Sequence, residues 1–167
     1  RIEICDKIIN EGFRQEPMML MYHCNFGYPL LQEGTELVLP TKKVTPREKW
    51  SANYVEEYCR MPAPMDNMQE QVFLHDLASD EQGNTFAAIV NRELQLGVRI
   101  EFNVKQLPWF MEWKSISSGD YVVGLEPSNS CVYGRTYHEK RGNLHMIHPQ
   151  EEQVVCWSFT ILDGASQ

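Results

Sequence analysis

Two segments of the chain carry the residue types that acid–base chemistry needs. In Met21-Tyr22-His23-Cys24-Asn25-Phe26-Gly27-Tyr28-Pro29, a His and an Asn stand among aromatics at the end of an apolar stretch. An imidazole titrates near neutrality, so His23 can give or take a proton. A half-buried His under a turn is the plainer alternative. In Gly119-Asp120-Tyr121-Val122-Val123-Gly124-Leu125-Glu126-Pro127-Ser128-Asn129, period-two alternation places Val122, Gly124 and Glu126 on one strand face, and Pro127 is expected to stop the ladder. Glycine inside a strand leaves room for a ligand or another backbone. Glu126 beside that gap is a candidate base, against the alternative of an edge-strand carboxylate in solvent.

Other positions carry weaker signals. Along Glu70-Gln71-Val72-Phe73-Leu74-His75-Asp76, Glu70, Val72 and Leu74 share one face while Gln71, Phe73 and His75 share the other. His138, His145 and His148 fit no standard ligand spacing, so no metal site is expected. Arg135 and Lys140-Arg141 are expected in a loop, as solvated surface or as contacts to an anionic substrate. Trp109, Trp113 and Trp157 can stack on a sugar ring, although on alternating strands such residues commonly form core.

The elements that must position these groups are strands. Val98, Ile100, Phe102 and Val104 alternate with Arg99, Glu101 and Asn103. Val155, Trp157, Phe159 and Ile161 do the same against Cys156, Ser158 and Thr160. Ile2, Ile4 and Ile8 share a face, and Trp109, Met111 and Trp113 oppose Phe110, Glu112 and Lys114. Each is the pattern of a half-buried strand. Further strands are predicted at Met18–His23, Gln71–Leu77, Thr85–Val90 and Tyr121–Glu126. Turn sequences separate them. One helical turn is predicted at Thr45-Pro46-Arg47-Glu48, from its capping box and its Pro at the first helical position. Many strands with short turns imply one all-β sandwich or barrel domain over residues 1–167.

Composition narrows the function classes. The formal charge of −8 argues against nucleic acid and against an anionic membrane surface. No apolar run approaches the roughly 18 residues of a membrane helix. The five cysteines are odd in number and irregularly spaced, which implies free thiols and a reducing, cytoplasmic setting. The chain opens on a strand pattern without an initiator Met, so a fragment or trimmed product is expected.

Tyr22-His23-Cys24-Asn25-Phe26-Gly27-Tyr28-Pro29-Leu30-Leu31 and Gly119–Asn129, in this order and at this distance, resemble the aldose 1-epimerase (galactose mutarotase-like) superfamily, in its uncharacterised bacterial branch. The likeness runs from Asp6 to Asp163. It implies an antiparallel β-supersandwich of about twice this length, of which this chain resembles the C-terminal half. The N-terminal half, with the family's sugar-contacting Arg, is then missing or supplied by a partner chain. The resemblance also implies a reaction. A His protonates the ring oxygen of a cyclic sugar, a Glu takes the proton of the anomeric hydroxyl, and the opened aldehyde recloses as the other anomer. Motif for motif, His23 takes the acid role and Glu126 the base role. Glu70, three residues before Phe73, matches a carboxylate that binds sugar hydroxyls; the family usually has Asp there, and His75 or Asp76 is the alternative. Asn25 and Asn129 complete the expected substrate contacts. No cofactor is implied.

Three readings follow. The chain is an anomer-interconverting isomerase for an aldose or modified hexose, a non-catalytic carbohydrate-binding or sensing module, or a structural β-domain. An acid–base pair favours the first, because binding alone does not need one. A half-sandwich would expose an apolar face, to be covered by the missing half, a partner or a homo-oligomer.

Overall fold

Alternation along Leu96–Asn103 turns sequence into a layer: Val98, Ile100 and Phe102 are buried, and Arg99, Glu101 and Asn103 between them are half-exposed. The computed structural model describes residues 1–164, and twelve strands lie among them. They are β1 (Ile2–Ile9), β2 (Glu16–Pro17), β3 (Cys24–Phe26), β4 (Glu36–Val38), β5 (Thr41–Pro46), β6 (Gln71–Leu77), β7 (Asn84–Asn91), β8 (Leu96–Asn103), β9 (Trp109–Ser115), β10 (Val122–Ser128), β11 (Met146–Ile147) and β12 (Glu152–Asp163). A 3-10 helix covers Ser51–Glu57 and one α-helix, α1, covers Arg135–Arg141.

Two five-stranded antiparallel sheets form, in the orders β1-β12-β8-β7-β4 and β3-β10-β9-β6-β5, with β11 and β2 paired beside them. The first we call the back sheet, the second the front sheet. Their inner faces share one core: Ala87, Ile89, Val98 and Ile100 from the back, Phe110, Val123 and Leu125 from the front. Phe102 stacks on Phe110 across the gap, with ring centroids 5.9 Å apart. Glu126, Gly124 and Trp113 therefore lie on the outer face of the front sheet, since Leu125 and Val123 point inward.

Several expectations are corrected. Thr45 and Pro46 do not begin a helix; they pair with Leu74 and Phe73 of β6, and the helical turn starts later, at Ser51. Pairing with β6 outweighs the local capping pattern, and on an edge strand the missing Pro N–H costs no ladder bond. Met18–His23 is no continuous strand: Met21 makes one isolated bridge to Ser128, and regular pairing begins at Cys24. Pro127 does not end β10, which runs to Ser128, and β10 is an inner strand between β3 and β9 rather than an edge. Arg135, Lys140 and Arg141 belong to α1 rather than to a loop. Cys5 and Cys156 face each other in the β1–β12 register and form a disulfide. Five free thiols are thus excluded, and the thiol argument for a reducing compartment goes with them. The two lie 151 residues apart, so only strand pairing brings them together. Cys24, Cys59 and Cys131 are free. Among the described residues, no helix is long and apolar enough to cross a membrane.

Candidate active site

The outer face of the front sheet carries the site. Glu126 on β10 faces Met111 on β9, and Gly124, one step along the same face, lies between Trp113 on β9 and Asn25 on β3. His23 immediately precedes β3, so its ring reaches the same patch. Its Nε2 lies 2.9 Å from Glu126 Oε1. The exposures differ sharply: the His23 side chain is 44% exposed and that of Glu126 only 4%. The pair thus offers one open member to a ligand and one shielded from water.

Gly124 is required by this packing. A Cβ there would stand 2.8 Å from His23 Cε1, 3.1 Å from Glu126 Oε1 and 3.2 Å from Asn25 Oδ1. Trp113 closes one side, its ring meeting His23 edge-on with centroids 5.6 Å apart. Its indole N–H donates to Glu70 Oε2 at 2.9 Å.

Electrostatics set the proton affinity of the carboxylate. Burial pushes Glu126 up to about 7, Arg47 opposes this, and the Glu70 carboxylate adds to it. Desolvation destabilises the charged form, the expected effect for a carboxyl group withdrawn from water. Burial, with the Glu126 charge, also lifts the Cys24 thiol to about 11, so Cys24 is held protonated at neutral pH. A carboxylate that exchanges its proton near neutrality, in ion-pair contact with an imidazole, can act as a base in one direction and an acid in the other.

The other expected residues separate. Asn25 and Glu70 lie beside the pair, through Gly124 and Trp113 respectively. His75 is buried on the inner face, where its Nε2 lies 3.3 Å from Glu112 Oε2 and its Nδ1 is 3.0 Å from Thr41 Oγ1. Asp76 is exposed on the outer face, two residues beyond Leu74, with Lys42 3.7 Å away. Asn129 is buried; its Oδ1 accepts from the Leu20 N–H and its Nδ2 donates to the Met18 carbonyl, so it fixes the segment leading to His23. The three histidines of the C-terminal region do not converge. His138 accepts from the Cys131 N–H, while His145 pairs with Gln153. Among the described residues, no group of three or more His, Cys, Asp or Glu side chains is arranged to hold a metal.

Sequence reasoning missed Arg47 as a site residue, having assigned it to a helical turn. Its N–H bonds to the Val72 carbonyl, which extends the β5–β6 edge and brings its charge toward Glu126. Nothing local in the sequence signals this.

The family described as "Domain of unknown function (DUF4432)" matches residues 1–161. The chain belongs to this family. Among solved structures, this DUF4432 chain is similar to a candidate aldose 1-epimerase from Klebsiella pneumoniae, with a TM-score of 0.92 and 28% identity over 98% of this chain and 44% of that one. It is also similar to a galactose mutarotase-like protein from Clostridium acetobutylicum (TM-score 0.63, 16% identity, 96% of this chain and 52% of that one). A galactose mutarotase related enzyme from Lactobacillus acidophilus gives a TM-score of 0.67 at 13% identity, over 97% and 57% of the two chains. A search of curated proteins returns no match. The fold is therefore the galactose mutarotase-like antiparallel β-sandwich, and the DUF4432 chain spans about half the length of these relatives.

Proposed function

We propose that this chain supplies the acid–base pair of a sugar anomerase, with His23 as acid and Glu126 as base. The observation that carries the proposal is the 2.9 Å contact between a half-open imidazole and a buried carboxylate. With one proton between them, the pair has an imidazolium–carboxylate form. In that form His23 protonates the ring oxygen of a bound aldose while Glu126 takes the proton of the anomeric hydroxyl. The C1–O5 bond breaks, the aldehyde forms, and rotation about C1–C2 exposes its other face. Ring closure returns both protons, so no net proton is consumed. Trp113 offers an aromatic wall to the sugar's C–H patch, and Glu70 and Asn25 bind hydroxyls. General acid–base catalysis supplies typically about 10²–10⁴-fold per group. That suffices for a reaction that already proceeds slowly in water.

The substrate class is a free aldose or a modified hexose. Exchange NMR on the α- and β-anomers of glucose and galactose, with the intact protein, tests the proposal. Accelerated exchange that Glu126→Gln abolishes while sugar binding persists is the expected result. Full activity in that variant would sink the assignment of the base. Line broadening without exchange would leave a binding module instead.

A further inference from the structure

A cavity of about 1060 Å³ adjoins the His23–Glu126 site. Its floor uses the sheet row that carries Glu126. In that row Thr45 pairs with Leu74, Leu74 with Met111, and Met111 with Glu126. Thr45 and Leu74 both line the cavity. So does Trp109, which pairs with Ser128 and is thus the diagonal neighbour of Glu126. Such diagonal positions lie about 7–8 Å apart, the scale of one sugar ring. The acid–base pair extends from Glu126 toward Gly124, and the cavity extends from it the other way. The two are neighbours across the Glu126 row, and the cavity also takes in the inner-facing His75 and Val155.

The volume exceeds what a single hexose needs and matches the upper range of small-molecule sites, about 300–1,000 Å³. The lining combines aromatic rings with polar groups of both signs. Tyr133 stands at the rim, 43% exposed. Tyr137 braces it at 4.9 Å between centroids and is itself covered by the Arg141 guanidinium at 3.6 Å. On the wall Lys43 lies opposite Asp76 in the β5–β6 register, so their charges offset; Asn143 adds an amide, and Lys105 stands among the loop residues before Trp109. Aromatic faces suit the C–H patches of a pyranose, and interleaved donors and acceptors suit its hydroxyls.

Resting on the acid–base reading above, we infer that this cavity is a second sugar subsite, and that the preferred substrate is a reducing disaccharide or longer saccharide. Its reducing ring would sit at His23 and Glu126, and its next ring on Trp109 and Tyr133.

The test is equilibrium binding by NMR titration of the intact protein with glucose, maltose, cellobiose and lactose. At least one disaccharide is expected to bind about 10-fold more tightly than glucose. Trp109→Ala and, separately, Tyr133→Ala should bring that ratio to within about twofold. Trp109 packs edge-on against His138, with centroids 5.6 Å apart, so its loss can unsettle α1; the exposed Tyr133 keeps the test valid in that event. No disaccharide preference in the wild type, or a preference that survives Tyr133→Ala, overturns the subsite. Anomer exchange is measured in parallel on the same sugars. Selective disaccharide binding without exchange supports the subsite while refuting the acid–base reading, so the two failures are distinguishable.

Discussion

The front sheet carries a His–Glu pair on each face, and the two pairs are built differently. On the outer face His23 is open and Glu126 is shielded, and Arg47 brings positive charge toward the carboxylate. On the inner face both His75 and Glu112 are fully buried. There Lys114 Nζ approaches Glu112 Oε1 at 3.0 Å and donates to the backbone carbonyls of Glu57, Tyr58 and Arg60, at and just past the end of the 3-10 helix. The inner contacts of Glu112 are ion pairs by distance without hydrogen-bond alignment. Charge on the inner face is thus met by countercharge and tied to a backbone end. On the outer face the carboxylate keeps an elevated proton affinity, and its imidazole partner faces solvent. The same two residue types anchor a fold in one setting and carry the proposed proton transfer in the other. The difference lies in whether a third group, here Lys114, sets a cation in ion-pair contact with the carboxylate.

The largest effect should come from removing that third group. Lys114→Met leaves Glu112 buried without its cation and is expected to cost about 3–5 kcal/mol in urea unfolding. The double change Lys114→Met with Glu112→Leu should recover most of this, since an apolar replacement of a buried ion pair is often neutral. A single variant of unchanged stability would place the inner pair on the same footing as the outer one.

On the outer face Glu126→Gln should lower the anomer-exchange rate by about 10²–10⁴-fold. In the wild type the rate should rise with pH through an apparent pKa of about 7, as Glu126 loses its proton; a flat profile would contradict this. The folded chain holds that proton at pH values where the unfolded chain has released it. Between the ordinary carboxylate range and about 7 the folded state therefore binds more protons, and stability falls as pH rises through that window. Glu126→Gln should remove this slope and stabilise the protein above pH 7 by about 1–3 kcal/mol, read from paired melts at pH 5 and pH 8.

Gly124→Ala should push His23 away from Glu126 and slow exchange roughly 10- to 100-fold with little change in melting temperature. The smallest effect belongs to Trp113→Phe, which keeps the ring against His23 and removes the donor to Glu70. Sugar affinity should weaken by about 0.5–1.5 kcal/mol in a titration.

Much of this was legible in the chain itself. Alternation marked β6, β8, β9, β10 and β12 and placed Glu126 and Gly124 on one face, because a strand's side-chain period is two whatever it pairs with. The types His23 and Glu126 suggested the proposed chemistry. Tertiary structure alone set the distance between them, because they sit 103 positions apart and meet only through the β3–β10 pairing. It also decided which face of β9 turned inward: alternation only set Trp109, Met111 and Trp113 against Phe110, Glu112 and Lys114, and in the fold Glu112 and Lys114 are buried as partners while Trp109 and Trp113 look outward. The Cys5–Cys156 bond and the position of Arg47 arise in the same way, from strand pairing. Local sequence determines which residues share a face. Which face meets water, and what stands opposite, depends on contacts between distant segments that no local period encodes.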